Sequence, residues 1–263
     1  MDELSAERIL AELDTLFVGR NLIYLDETGS TNDRARHAAE AGAPEGTLVV
    51  TDHQTAGRGR FERRWAAPPG SSLLMSLLFR PTLPPQQVQR LTMICGLAAV
   101  DAVSRVTGLQ VGLKWPNDVV AAGAKLGGIL TELQVQGSQV AHVVVGIGLN
   151  VNLDPAQLPG DLLLPATSLS YELDRFVPRL PLLLTFLHGV EQRYLSLVEG
   201  VSPHIEWASR LVTVGQPVSV STSGTVLEGV AEAVDADGAL LVRLPEGRLE
   251  RVTSADVSLK AVH

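Results

Sequence analysis

Residues 47–65 read TLVVTDHQTAGRGRFERRW. The first six are β-branched and apolar enough to predict a strand. The segment that follows carries glycines and arginines in a pattern that suits neither a packed strand nor an ordinary helix, so it is read as the first unusual loop. Upstream, NLIYLD (21–26) predicts a strand. Ser30 or Thr31 then stands where a helix cap belongs, ahead of Ala35, Ala38 and Ala39, with Gly42 and Pro44 closing that helix. A short helical prefix over 5–17, ended by Gly19, precedes the strand.

Downstream, SLLMSLLF (72–79) predicts a buried strand, and residues 84–107 a long helix with Pro84 and Pro85 at its start and Gly108 as its stop. Three strand-like segments follow, at 111–114, 125–136 and 140–150, with KWPND and AAGAK in the turns between the first two. LPGDLLLP reads as an irregular surface connection, and residues 180–198 and 203–210 return to helical periodicity. After Arg210, short alternating runs separated by SG, DADG and PEG turns predict a small antiparallel barrel of about fifty residues. The domain reading is therefore 1–210, with 1–20 as the helical prefix, and 211–263.

Charge narrows the function. Lys and Arg number 21 against 29 Asp and Glu, a net charge of −8. Such a field repels phosphate polymers and acidic membranes unless cations are gathered locally. Neither DNA nor a membrane is an expected partner. No apolar run approaches a membrane span, and the acidic, mixed N-terminal stretch lacks the pattern of a secretory leader, so a cytoplasmic location is expected. One cysteine, Cys95, excludes an internal disulfide and reads as helix core. Six scattered histidines show no metal-ligand spacing, so no resident metal site is assigned.

Only three lysines occur against eighteen arginines, and Lys114 and Lys125 lie close together. A compact ammonium is informative where arginine serves the ordinary surface. In Ala56-Gly57-Arg58-Gly59-Arg60, small residues let the backbone approach a ligand while two guanidinium groups reach the same anion. A solvated basic turn or a nucleic-acid contact reads equally from those five residues. GSTN (29–32), KWPND (114–118), KLGGIL (125–130) and GIGLNVN (146–152) each admit a plain structural reading: a cap, a turn, close strand packing.

In their order and spacing, GSTN, QTAGRGR, KWPND, KLGGIL and GIGLNVN together resemble the biotin protein ligases, from about Leu22 to Arg210. The resemblance implies an α+β fold, with a mixed-sheet biotin/lipoate ligase-like catalytic domain followed by a small C-terminal antiparallel β-barrel. It also implies an enzyme that activates biotin with ATP as biotinyl-5′-AMP and acylates one lysine of a biotin carboxyl carrier protein, a subunit or domain of acetyl-CoA carboxylase. Ser30, Thr31, Asn32 and Gln54 would hold the ring end of biotin. Gly57, Arg58, Gly59 and Arg60 would wrap the carboxylate and phosphate. Lys125 would bridge biotin and the α-phosphate, and Asp118 would meet the incoming lysine. Arg58, Arg60, Trp65, Asn117, Lys125 and Asn150 would face the nucleotide, with Mg²⁺ accompanying ATP. Arg58, Lys125 and Asp118 are the implied catalytic residues.

Where the family's arginine loop carries a glycine two residues after GRGR, this chain has Glu62, which puts the loop's geometry in question. Trp65 is expected to anchor that loop and to shield the adenylate when it closes. About twenty residues precede the first strand, too few for the N-terminal winged helix of some relatives, so a short form is expected, monomeric or homodimeric. A lipoate-type protein ligase and, from another class, a DNA-binding regulator are the competing functions.

Overall fold

In a computed structural model that describes residues 4–157, 165–222 and 225–259, seven strands form one mixed sheet. They are β1 (Leu22–Thr28), β2 (Leu48–Gln54), β3 (Ser72–Phe79), β4 (Gly112–Lys114), β5 (Asp118–Ala121), β6 (Ala124–Gln136) and β7 (Gln139–Asn150). Their order is β1-β2-β3-β7-β6-β5-β4. Only β1 and β2 run parallel, because a helix, α2 (Thr31–Glu40), returns the chain between them; every other neighbour is antiparallel.

SLLMSLLF of β3 is buried at all eight positions, since both faces of the sheet are covered there. On one face, α3 (Gln89–Thr107) and α5 (Arg179–Val198) pack on Met75, Leu77, Val143, Val145 and Ile147. On the other, Ala35 and Ala39 of α2 press on Val49, Leu78 and Val144. Cys95 lies fully buried in α3, and burial pushes its thiol well above the usual range, as core packing requires.

The N-terminal helix, α1 (Ala6–Glu12), is shorter than the expected 5–17. Its successor residues find other partners: the Glu191 carboxylate of α5 accepts backbone N–H bonds from Leu16, Phe17 and Val18 at 2.8–3.0 Å. Helical amides would have pointed elsewhere, so a residue 173 to 175 positions away ends the helix. Two elements were not legible: β5, whose first residue is the Asp of KWPND, and α4 (Leu169–Leu173), capped by Ser168. The long helix also starts later than expected, after a 3₁₀ turn at Pro85–Gln87.

Beyond α6 (His204–Ser209), the Leu113 N–H donates to Arg210 and the Val212 N–H to Leu113, so the segment entering the C-terminal unit is bound to β4. That unit is a five-stranded antiparallel sheet of β8 (Pro217–Thr222), β9 (Thr225–Val234), β10 (Leu240–Arg243), β11 (Leu249–Val252) and β12 (Asp256–Leu259), in the order β11-β10-β9-β8-β12. In this small antiparallel unit the ladders among the described residues leave β11 and β12 at the two ends of the strand order. Most of LPGDLLLP, the SG turn at 223–224, Lys260 and His263 lie outside the described residues. No helix among the described residues is long and apolar enough to cross a membrane.

The Glu191 carboxylate is 2% exposed. Replacing it by leucine strands three amide donors, and urea unfolding of Glu191→Leu is expected to show a loss of about 3 kcal/mol.

Candidate active site

The sheet face beneath α2 presents two cross-strand rows with glycine at the centre of each. Ser76 of β3, Gly146 of β7 and Leu130 of β6 lie side by side, and so do Leu74, Gly148 and Gly128. Asn32, from the first turn of α2, lies on the first row. Its Nδ2 donates to the Leu130 carbonyl at 3.3 Å and to Glu132 Oε2 at 2.7 Å, and its Oδ1 accepts from Ser76 Oγ at 2.6 Å. A Cβ on Gly146 would stand 2.0 Å from that Oδ1. The Trp65 indole lies on the second row, where a Cβ on Gly148 would stand 2.6 Å from the ring and one on Gly128 3.2 Å away. Close strand packing was one plain reading of the GIGLN glycines; Gly146 and Gly148, with Gly128, make room for side chains arriving from a helix and a loop.

Over these rows opens a cleft of about 620 Å³. Of the residues singled out in the sequence, Ser30, Thr31, Asn32, Gln54, Arg58, Gly59, Arg60, Trp65, Asn117, Asp118, Lys125 and Asn150 all line it. Gly57 does not. It packs behind the loop, where a Cβ would stand 2.5 Å from the Trp65 carbonyl and 3.0 Å from Gln54 Nε2, so its smallness serves the loop's own fold. Among the described residues no histidine lines the cleft.

At one end the groups are neutral and buried. Gln54 Oε1 accepts from the Thr31 N–H at 2.8 Å and sits 3.1 Å from Thr31 Oγ1, while Ser30 and Thr31 are 4% and 3% exposed. Ser30 stands at the N-cap of α2 without making a side-chain cap bond, which leaves its hydroxyl to the cleft. Towards the other end lie six cations, Arg58, Arg60, Arg63, Arg64, Lys114 and Lys125, against two carboxylates, Asp118 and Asp256. The cleft is locally positive inside a chain of net charge −8.

Lys125 Nζ donates to Asp118 Oδ1 at 2.6 Å and lies 5.8 Å from the Trp65 ring centroid. The backbone of Lys125 is fixed on both sides, its N–H donating to Pro165 and its carbonyl accepting from Thr167. Asn117 Nδ2 donates to the Ile129 carbonyl, and its Oδ1 lies 3.4 Å from the Arg60 guanidinium. Asn150 Nδ2 donates to the Thr167 carbonyl, whereas its buried Oδ1 has no partner among the described residues.

Residues not assigned from the sequence complete the wall. The buried ammonium of Lys114 donates to the Val257 carbonyl of β12. Arg60 donates to Ser254 Oγ at 2.8 Å and to the Ala255 carbonyl at 3.3 Å, and Arg63 pairs with Asp256 at 2.6 Å. Burial holds the Lys114 ammonium and the Arg60 guanidinium below their usual ranges; Asp118 offsets this for Lys114 and Asp256 for Arg60. The scarcity of lysine was a signal for Lys114. Nothing in the sequence pointed to Ser221, Asp256 or Ser258, since only the fold brings β8 and β12 to the arginine loop. In that loop Phe61, rather than the position after it, takes the left-handed conformation (φ 54°). The side chain of Glu62 lies outside the described residues.

Known proteins are similar to this chain in sequence and fold. The Bacillus subtilis bifunctional ligase/repressor BirA is 38% identical over 98% of this chain and 79% of its own length. The chain belongs to the biotin protein ligase family. The model of the biotin/lipoate A/B protein ligase family matches residues 24–150, and that of the biotin protein ligase C-terminal domain residues 213–260. The Mycobacterium tuberculosis biotin–[acetyl-CoA-carboxylase] ligase is 34% identical, covering 90% of this chain and 88% of its own. The Aquifex aeolicus biotin protein ligase, solved in complex with biotin and ATP, superposes with a TM-score of 0.76 at 28% identity over 92% of this chain and all of its own.

In this family member the seat of Trp65 depends on Gly148. Gly148→Ala is expected to lift the indole off the sheet and shift tryptophan emission to the red; in a Trp65→Phe background the same substitution leaves emission unchanged.

Proposed function

We propose that this chain condenses biotin with ATP to biotinyl-5′-AMP and transfers the biotinyl group to a lysine of a biotin carboxyl carrier protein of acetyl-CoA carboxylase, in the cytoplasm. The single observation behind this reading is the cleft's division into a neutral hydrogen-bonding end and a cationic end. Biotin has the same division: a ureido ring that donates and accepts, and a chain ending in a carboxylate.

The chemistry needs that cationic end. A carboxylate must reach an anionic α-phosphate, and two unit charges about 4 Å apart repel by about 4 kcal/mol at an effective dielectric near 20. Arg58, Arg60 and Lys125 offset this repulsion as the carboxylate oxygen attacks phosphorus and the bond to pyrophosphate breaks. Lys125 keeps one N–H on Asp118 and has two further N–H donors for the reacting oxygens. Trp65 and Asn117 flank the nucleotide. In the second step the carrier's amine attacks the acyl carbon and AMP departs, with Asp118 orienting the amine or taking its proton. Residues 1–210 act as the catalytic domain, and residues 211–263 as a small domain that closes one wall.

Among the described residues no three His, Cys, Asp or Glu side chains gather into a metal cage. The orphaned Oδ1 of Asn150 on the cleft wall is an oxygen donor that fits Mg²⁺ carried in on ATP, an ion that takes most of its ligands from phosphate and water. The polar groups at the ring end favour biotin over lipoate, whose dithiolane has no hydrogen-bond donors.

ATP–pyrophosphate exchange tests the reading: it is expected with biotin and not with lipoate, and the reverse preference would overturn it. Lys125→Ala is expected to lower the exchange rate by about 10²- to 10³-fold. Arg58→Ala is expected, in addition, to release the adenylate faster, read by trapping it in solution.

A further inference from the structure

Outside the cleft lining, Glu132 of β6 joins the two ends of the proposed biotin site. Its Oε2 accepts from Asn32 Nδ2 at 2.7 Å, and its carboxylate oxygens lie 3.1 Å from the Arg58 guanidinium. Glu132 reaches both because it shares a sheet face with Gly128 and Leu130, one row beyond the bed on which Asn32 lies.

We propose that Glu132 is a positioning residue for biotin activation, which ties Arg58 of the arginine loop to Asn32 and sets the direction of the hydrogen bonds at the ring end. The inference rests on the biotin reading of the cleft. An ionised carboxylate only accepts, so Asn32 must turn its NH₂ towards Glu132 and its Oδ1 towards Ser76. Ser76 has one proton, which it gives to Asn32 Oδ1 at 2.6 Å. That proton also faces Thr31 Oγ1 at 2.8 Å, and Thr31 gives its own proton to Gln54 Oε1 at 3.1 Å. Both NH₂ protons of Asn32 are engaged, by Glu132 and by the Leu130 carbonyl. Asn32 Oδ1 and Thr31 Oγ1 consequently present lone pairs at the cleft, where the two ureido N–H groups of biotin need acceptors. Without the carboxylate only the longer bond to the Leu130 carbonyl, at 3.3 Å, holds the Asn32 amide against turning over and offering donors to donors.

Asp33 supplies the control. It also pairs with Arg58, at 2.9 Å and with exposure close to that of the Arg58–Glu132 pair, but Asp33 has no hydrogen bond to Asn32 or Ser76, so it cannot join the two. Glutamine at position 132 keeps one neutral acceptor oxygen and turns an NH₂ towards donors in place of the second oxygen and the charge, so it weakens the line between Arg58 and Asn32.

The experiment is steady-state, biotin-dependent ATP–pyrophosphate exchange with wild type, Glu132→Gln, Asp33→Asn, Asn32→Ala and the Glu132→Gln/Asn32→Ala double variant. Glu132→Gln is expected to raise KM for biotin at least about tenfold, with kcat and KM for ATP changed by less than about threefold. Asp33→Asn is expected to change KM for biotin by less than about threefold. The double variant is expected to exceed the larger single effect by no more than about twofold, because both substitutions cut one line. An unchanged KM for biotin in Glu132→Gln, equal effects of Glu132→Gln and Asp33→Asn, or multiplying effects in the double variant would each overturn the proposal. Absence of biotin-dependent exchange in wild type would instead overturn the reading on which it rests. Should Glu132→Gln not fold, Glu132→Asp, which keeps two acceptor oxygens, is expected to retain KM for biotin within about threefold, and a larger rise would count against the proposal.

Discussion

The site depends on a sheet surface from which side chains have been removed. Strands normally stand about 10 Å from whatever covers them because their side chains fill the gap. Over Gly128, Gly146 and Gly148 nothing fills it, so Asn32 and Trp65 lie against bare backbone, and the start of α2 and the arginine loop descend with them. The cleft is the space left between these two intruding segments. Its polar end follows from α2, whose N-terminus turns Ser30, Thr31 and Asn32 to the cleft, and its charged end from the loop.

Charge is the second constraint. Three of the cleft's cations already have carboxylate partners: Arg58 with Asp33 and Glu132, Arg63 with Asp256, Lys125 with Asp118. Lys114 and Arg60 are held instead by carbonyls, a hydroxyl and an amide oxygen. Neutral acceptors satisfy hydrogen bonds without cancelling charge, so these two cations, Lys114 buried and Arg60 half-buried, keep most of their attraction for an anion. Desolvation has weakened their hold on their protons, and an arriving phosphate or carboxylate would restore it. A partly exposed ion pair such as Arg58–Asp33 is weak, so a ligand displaces it at little cost.

The C-terminal sheet belongs to this arrangement. Ser254, Ala255, Asp256 and Val257 meet Arg60, Arg63 and Lys114, and the Trp115 indole N–H donates to the Gly238 carbonyl across the same seam. Loops of the first sheet are thereby braced by residues of the second unit, which gives the Gly/Arg segment a defined shape.

Much of this was legible in one dimension. Alternation and apolar runs located β1, β2, β3, β6 and β7 and the long helices, because those signals come from burial on one face or two. GSTN, QTAGRGR, KWPND, KLGGIL and GIGLNVN marked most of the lining, because a loop that must approach an anion needs glycine and arginine whatever surrounds it. The N-terminal helix was overextended, as periodicity does not register that Glu191 captures the amides beyond Glu12. β5 was hidden by its four-residue length, and α4 by its five. The roles of Glu132, Lys114 and Asp256 were hidden for a deeper reason: an ionic side chain has no local pattern, and its partner lies tens to hundreds of residues away. The sequence alone determined which chemistry the chain holds, since residue type sets what donates, accepts or carries charge. Which groups meet, which glycines clear space and which cations keep their charge was decided by the tertiary structure, because distance and desolvation exist only once the sheet is folded.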